Sequence, residues 1–410
     1  MRKRTVLSLE QALSCSYGTL RFVQTGWRVI RLEATPVPGS PTPGDPNRYV
    51  GKLITEPDRR SYFIAPNVGK ESVALNLKEK EGRELLHRIV RELPVDIFCS
   101  NTLPKRYEAL GIDFETLRAL NPNIIWAGIS AFGPDHPDSP GYDPALQAKL
   151  GYMALTGDPA GPPTVCGVPV VDLKAGDEMF AQVMMALVEQ AESGAGARRI
   201  DVSMAQAAAS WLHTSLPLVD MGAAPAEFSR NGNEHRQFVP VNVYPTADGY
   251  VYLTVGNDAQ WKRLTSLDEF ATARKPEWVT NEGRRKGRRE IHSLVAGALE
   301  NLTVAEAVDL LSRTGVVVSE VNDVPAVKAL PEINPRLCTV EFPPGKIVHL
   351  PPGAIMGEGA PPKAFSPPPR YGEHTRGVLE EIDCTEKEID ELMETGVVAG
   401  PGPADGNPPH

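Results

Sequence analysis

From Thr5 to Met204 the chain alternates short β-branched apolar runs with helical segments, and this alternation constrains the fold more than any other feature. "TVLSL" reads as a strand, a helix follows to about Thr25, and "RVIRLE" is a strand again. "VALNL" is a strand, 79–93 an amphipathic helix and "VDIFC" a strand. Two short helices follow, the second being "DFETLRALN" with Asp113 as its cap, and then "NIIWAGIS" and "RRIDVSM" add two strands. Strands separated by helices join through right-handed crossovers into a parallel sheet. The expected class is α/β, with a large Rossmann-like parallel-sheet domain. The first strand–helix turn, "SLEQALSCSYG", lacks the GxGxxG fingerprint, so a nicotinamide dinucleotide is not expected.

Past residue 230 the texture changes. "VYPTADGYVYLTVG" predicts a hairpin about Asp248-Gly249. Helices are expected near 258–268, 281–300 and 303–313, and "GVVVSEV" as one more strand. A chain of 410 residues exceeds one compact core. The expected division is a large domain of 1–228 and 325–398 and a smaller one of 229–324, with 399–410 a disordered tail. The 39 prolines cluster: 34–48 reads as a long loop, and 351–370 as an arm laid over a surface.

The segment "VPVVDLKAGD" (168–177) runs four apolar residues into Asp172. It reads as a buried strand ending in a carboxylate, followed by a helix over 178–191 capped by Asp177. Ligands bind at the carboxyl ends of such strands. A helix N-terminus favours a nearby anion by roughly 0.3–1 kcal/mol, which would help keep Asp172 ionised and able to attack an electrophilic carbonyl. Gly176 would admit a ligand close to the backbone. The same residues also permit a plainer role, a loop aspartate capping backbone amides.

The block from Pro140 to Ala209, which contains "GYDPALQAKLGYM" and "VPVVDLKAGDEMF", resembles the signature of the class III CoA-transferases (CaiB/BaiF type), the family of formyl-CoA and carnitine CoA-transferases. "VALNLKEKEGRELLHRIV", "YEALGIDFETLRALNPNIIWAGISAFGP", "YPTADGYVYLTVGNDAQW" and "RYGEHTRGVLEEI" look like family segments in family order. The resemblance implies that Asp172 is the nucleophile and forms an acyl and then a CoA-thioester intermediate. It implies an acyl-CoA and a carboxylic acid as substrates, with succinyl-CoA a candidate donor and no permanently bound cofactor. It also implies an interlocked dimer, ring through ring, with the 351–370 arm crossing the subunit boundary. Related racemases carry His in a "GHD" motif where this chain reads Gly141-Tyr142-Asp143, so transferase is favoured over racemase. His136, nearby in the sequence, reads as a solvated loop residue.

At family-matching positions the candidate CoA-binding residues are Arg31, Lys70, Asn101, Thr102, Leu103, Tyr142 and Asp143. Lys70 suits a phosphate as a point cation, and is as readily an ordinary surface lysine. Lys105 and Arg106 add positive charge near the Asn101 turn, and 228–238 sits where relatives carry a glycine-rich lid. The chain departs from the family near its start. Ser14-Cys15-Ser16 stands for the usual "AGP", and Ser8 and Ala34 for usual polar or charged residues. Such departures fit a subunit that pairs with an unlike homologous chain, as in succinyl-CoA:benzylsuccinate CoA-transferase of anaerobic aromatic degradation. Both a homodimer and a heterodimer, and a catalytically impaired partner subunit, stay open at this level.

Composition narrows the rest. A net charge of −10 argues against nucleic acid as partner. The five cysteines are scattered singly with no Cys/His cluster, so neither a metal nor a disulfide framework is expected. No apolar run reaches a membrane span, and Glu10 and Gln11 interrupt any signal-peptide core. The chain reads as cytoplasmic.

Overall fold

The inner strands of the main sheet that begin at Thr5 and Ile125 are apolar along almost their whole length because both of their faces are covered. In this computed structural model, which describes residues 3–36, 42–358 and 360–402, strands β1 (Thr5–Leu9), β2 (Arg28–Glu33), β3 (Glu71–Leu75), β4 (Val95–Ser100), β5 (Ile125–Ser130) and β6 (Arg198–Ser203) run parallel in the order β3-β2-β1-β4-β5-β6. A two-residue strand, Val398–Ala399, closes the β3 edge antiparallel, pairing Val398 with Leu75. This is the doubly wound order, and its direction of winding reverses between β1 and β4. A crevice therefore opens outside the carboxyl ends of those two strands.

The helices between these strands are α1 (Ser14–Gln24), α2 (Ser61–Asn67), α3 (Lys80–Glu92), α4 (Phe114–Leu120), α5 (Asp143–Lys149), α6 (Tyr152–Leu155) and α7 (Val170–Ser193), and α8 (Met204–Ala209) follows β6. In α3 the apolar residues Leu85, Leu86, Ile89 and Val90 share one buried stripe, while Lys80–Glu84 and Arg88–Glu92 pair along the wet face. Burying each of those side chains contributes about 1.5–3 kcal/mol. Trp126 fills the centre of the larger core, and its indole N–H donates to the Ile112 carbonyl at 2.7 Å.

Helices α1 and α7 cross through glycines. A Cβ at Gly176 would stand 2.7 Å from the Ser14 carbonyl and 2.9 Å from the Gly18 nitrogen. A Cβ at Gly18 would stand 3.0 Å from the Gly176 carbonyl. Small residues at Ser14, Cys15 and Ser16, all buried, are what this crossing requires.

Several expectations change. Residues 168–171 are not a strand. Pro169 precedes the first turn of α7, and Asp172 already lies in that turn. Asp177 is no cap: it sits inside α7 and pairs with Arg21 of α1 at 3.6 Å. Gly176 serves helix packing, not ligand approach. Ala399, expected at the start of a disordered tail, pairs in the sheet, and Arg370 donates to the Gly402 carbonyl at 2.8 Å. Residues 403–410 of that tail, and 37–41 of the 34–48 loop, lie outside the described residues.

The chain divides into two compact units, Met1–Leu150 with Gly167–His213 and Pro335–His410, and Gly151–Cys166 with Thr214–Asn334. The smaller unit thus starts before 229, ends after 324, and takes in the segment around α6. Its sheet is antiparallel: β7 (Val241–Pro245), β8 (Tyr250–Thr254) and β9 (Val317–Glu320), over a core that includes Trp261, Phe270 and Trp278. The helix expected over 281–300 breaks at Gly287, where a Cβ would meet the Trp278 indole nitrogen at 2.3 Å. The third sheet, β10 (Cys338–Phe342), β11 (Lys346–Leu350) and β12 (Ala364–Phe365), belongs to the larger unit and holds the end of the 351–370 segment through β12.

Candidate active site

A helix beginning at Val170 leaves its first amides without intrahelical partners. Proline at 169 has no side-chain acceptor to offer them. They are met from another helix. One carboxylate oxygen of Asp143, in the first turn of α5, accepts the Val171 amide at 2.7 Å and the Asp172 amide at 3.1 Å. The other oxygen accepts from the Gln147 side chain at 2.6 Å. Asp143 is therefore the capping aspartate of this region, and Asp172 is left with a carboxyl that makes no hydrogen bond among the described residues. Burial, and then the negative charge of Asp143, push the Asp172 carboxyl up to about 7. The expectation that the helix terminus keeps it ionised is corrected here, because the nearest amides serve Asp143.

Asp172 lines a cavity of about 340 Å³ together with Gln11, Asn101, Thr102, Leu103 and Tyr142. The cavity lies at the β1–β4 reversal of the sheet. The loop after β1 is held in shape from β4: Asn101 accepts the Gln11 amide at 3.1 Å and donates to the Gln11 carbonyl at 2.7 Å. Ala12 adopts φ of 56°, a left-handed conformation that costs an alanine energy. Its amide is met by Asp45 at 3.3 Å. Tyr142 is 76% exposed at the rim. So the structure brings Asp172, Asn101, Thr102, Leu103 and Tyr142 to one cavity, with Asp143 buried behind it.

Arg31 and Lys70 are placed differently. Both cations have 0% side-chain exposure. Lys70 sits 2.6 Å from Glu10 and also donates to the Ser16 carbonyl and to Thr19. Arg31 pairs with Asp45 at 2.9 Å and with Glu33 at 3.4 Å, its guanidinium over the Phe63 ring. Burial lowers the proton affinity of Lys70, and Glu10 opposes that effect. Burial alone would raise the Glu10 carboxyl, but Lys70 and Arg31 outweigh it and hold it low. A phosphate reaches neither cation unless these pairs break. The geometry thus gives both a structural part, as supports of the β1–α1 loop.

Two exposed cations stand nearer the crevice: Arg106, already noted beside the Asn101 turn, and Lys78, which the sequence reading missed. Lys78 and Arg106 line a second cavity, of about 280 Å³, which shares Gln11, Asn101, Thr102 and Leu103 with the first. Neither side chain has an ion-pair partner among the described residues. The signal for Lys78 was position: it follows β3, as Arg106 follows β4, at the carboxyl edge of the sheet where ligands bind. A larger cavity of about 430 Å³, lined by Arg4 and Asp96, opens at the amino ends of β1 and β4, the edge where ligands of this fold do not bind. Among the described residues no metal-binding cluster of His, Cys, Asp or Glu occurs, and no helix is long and apolar enough to cross a membrane.

A doubly wound sheet with a half-buried carboxyl at a capped helix start, beside two cavities at the switch point, defines an α/β protein with a ligand site at the carboxyl edge of its sheet. The sequence matches the profile of CoA-transferase family III over residues 1–375, and the chain belongs to that family. It is an enzyme of the transferase class, handling coenzyme A thioesters. It is 32% identical over 365 residues to an acetyl-CoA:oxalate CoA-transferase of Acetobacter aceti, covering 87% of each chain. It is 29% identical over 393 residues to a succinate–glutarate CoA-transferase of Agrobacterium fabrum, covering 93% of this chain and 95% of the relative. Its fold matches the crystal structure of a CaiB/BaiF family protein from Brucella suis with a TM-score of 0.81, at 27% identity and over 93% and 98% of the two chains.

Proposed function

We propose that the enzyme moves CoA from a small acyl-CoA, with succinyl-CoA the first donor to test, to a free carboxylic acid, and that Asp172 carries the acyl group and then the CoA. The observation that carries this reading is the Asp172 carboxyl, without a hydrogen bond among the described residues and half-buried in the wall of the cavity at the switch point. A carboxylate without donors holds its lone pairs available for attack.

The sequence of steps balances without net proton change. A carboxylate oxygen of Asp172 attacks the donor thioester carbonyl, the C–S bond breaks, and CoA thiolate leaves a mixed anhydride. The thiolate attacks the aspartyl carbonyl and expels the donor acid, forming an aspartyl-CoA thioester. The acceptor carboxylate attacks that thioester and expels the thiolate. The thiolate then attacks the acceptor acyl carbonyl, releasing the new acyl-CoA and the Asp172 carboxylate. Asn101, Thr102 and Leu103, shared by both cavities, are proposed to contact the pantetheine arm, and Tyr142 to border it. Lys78 and Arg106 are proposed to meet the phosphates of the nucleotide.

We also read the enzyme as an interlocked dimer, of identical or homologous chains. Exposed apolar side chains support this, among them Met185 on α7, Trp211, and Ile355 and Met356 within the 351–370 segment. Names of relatives put short dicarboxylic acids among the acids to try. The experiment is a panel of acyl-CoAs with isotopically labelled free acids. Acid-dependent CoA exchange supports the transferase reading. Exchange of the α-proton in deuterated water without any acid would point to a racemase, and no turnover without a second chain would point to a partner subunit.

A further inference from the structure

We infer that Asp143 is a positioning residue that acts through Asp172: it fixes the first turn of α7 from outside the helix and places a second carboxyl group beside the nucleophile. The inference rests on the reading of Asp172 as the nucleophile. Two aspartates meet at one helix start, and they share its resources unequally. Asp143 accepts the Val171 and Asp172 amides and the Gln147 side chain, at 2.7, 3.1 and 2.6 Å. The three donors at this helix start therefore converge on Asp143 and none is left for the Asp172 carboxyl. Asp172, given no donor among the described residues, has only its backbone N–H fixed by Asp143.

Other charges around α7 do not reach Asp172. On α1, Arg21 is engaged with Asp177 and with the Tyr17 hydroxyl. On β6, Arg198 pairs with Glu189, and Arg199 with Asp201. On α5, Lys149 lies over the Phe132 ring. On α7 itself, Lys174 pairs with Glu178 at 2.6 Å. Asp45, across the cavity, is tied to Arg31. Among the described residues it is burial first, and then the charge of Asp143, that push the Asp172 carboxyl up.

The chemical consequence concerns entry into the cycle. A protonated Asp172 cannot attack, so its proton must pass to water before the first acyl transfer. No later step takes or releases one. A carboxylate that binds its proton more tightly is also the stronger nucleophile. Asp143 thereby sets a pH limb for the whole reaction while touching no substrate.

The test compares kcat/KM for CoA exchange from about pH 5 to pH 9 in the wild type, Asp143→Asn and Asp143→Ser. The Asn side chain keeps an oxygen toward the amides if the Gln147 amide turns over to accept from its nitrogen. The donor probes are succinyl-CoA and acetyl-CoA, each with its own labelled acid. Asp143→Asn is expected to move the acidic limb downward by about half a unit or more. Asp143→Ser, neutral and shorter, carries the same expectation should the Asn variant not fold. A limb unchanged in a folded neutral variant, whatever the loss in kcat, overturns the inference and leaves Asp143 a structural cap. Asp172→Ala run alongside separates the two readings: full turnover there removes the nucleophile, whereas a dead Asp172→Ala with unshifted limbs removes only the role of Asp143.

Discussion

One oxygen of Asp143 accepts the amides of both Val171 and Asp172, so the helix that carries the proposed nucleophile is capped by a residue 29 positions earlier in the chain. This single contact places Asp172 in a first helical turn and withholds the terminal amides from its carboxyl. It also brings two negative groups together, and measurable consequences follow for stability as well as for turnover.

Burial and Asp143 hold the Asp172 carboxyl up at about 7, against 3.8 for an ordinary aspartate. The unfolded chain loses this proton first, so between those values it binds fewer protons than the folded chain. Stability therefore falls as pH rises through that window. Asp172→Asn removes the titration. Its melting temperature is expected to match the wild type near about pH 4 and to exceed it near about pH 8, by the equivalent of about 1–2 kcal/mol, a figure discounted for the solvent reaching the cavity wall. Equal melting temperatures at both pH values would show that Asp172 is not strained by its charge.

Lys70 and Lys78 are expected to behave oppositely. Lys70→Ala leaves Glu10 buried and unpaired, at a cost of about 3–5 kcal/mol, so the variant should melt far earlier. Lys78→Ala and Arg106→Ala should melt within about 0.5 kcal/mol of the wild type. Each should instead raise KM for acyl-CoA by about tenfold, with a weaker salt dependence than the wild type. A normal melt for Lys70→Ala, or unchanged KM for the other two, would contradict this division of roles.

The contrast between these lysines shows what the sequence discloses. Charge is visible in it and burial is not. Arg31 and Lys70 sit in plausible family positions, but Glu10, Glu33 and Asp45 that neutralise them come from separate turns of the chain. The parallel sheet was legible because strands buried on both faces read as nearly continuous apolar runs, as in "TVLSL" and "NIIWAGIS". The start of α7 was not, since Val170 and Val171 favour a strand locally and the cap that makes them helical comes from Asp143. Gly176 was noticed for the right reason, close approach, but what approaches it is the backbone of α1.

Gly176→Ala puts a methyl group against the Ser14 carbonyl, backbone that cannot swing aside. The expected loss is about 1–3 kcal/mol of stability. Turnover should fall as well, because separating α1 from α7 shifts Asp172 relative to Gln11 across the cavity. Thermal melting and exchange rates measured together check this; an unchanged melt would show that the crossing has room to spare.

The exposed apolar residues Met185 and Trp211 predict an assembly. Light scattering at micromolar protein should give twice the mass of the chain, and a compact monomer would refute the dimer. Should the partner be an unlike homologue, this chain alone should show little activity and co-expression should restore it.

The most direct measurement is trapping of Asp172. After addition of succinyl-CoA or acetyl-CoA and then hydroxylamine, either the anhydride or the aspartyl-CoA thioester leaves a hydroxamate on the residue that carried it. The peptide containing Asp172 is expected to gain that mass only when donor is present, and Asp172→Ala is expected to lose both the label and the exchange. A label on Asp143 or Asp177, or near-normal turnover by Asp172→Ala, would contradict the assignment.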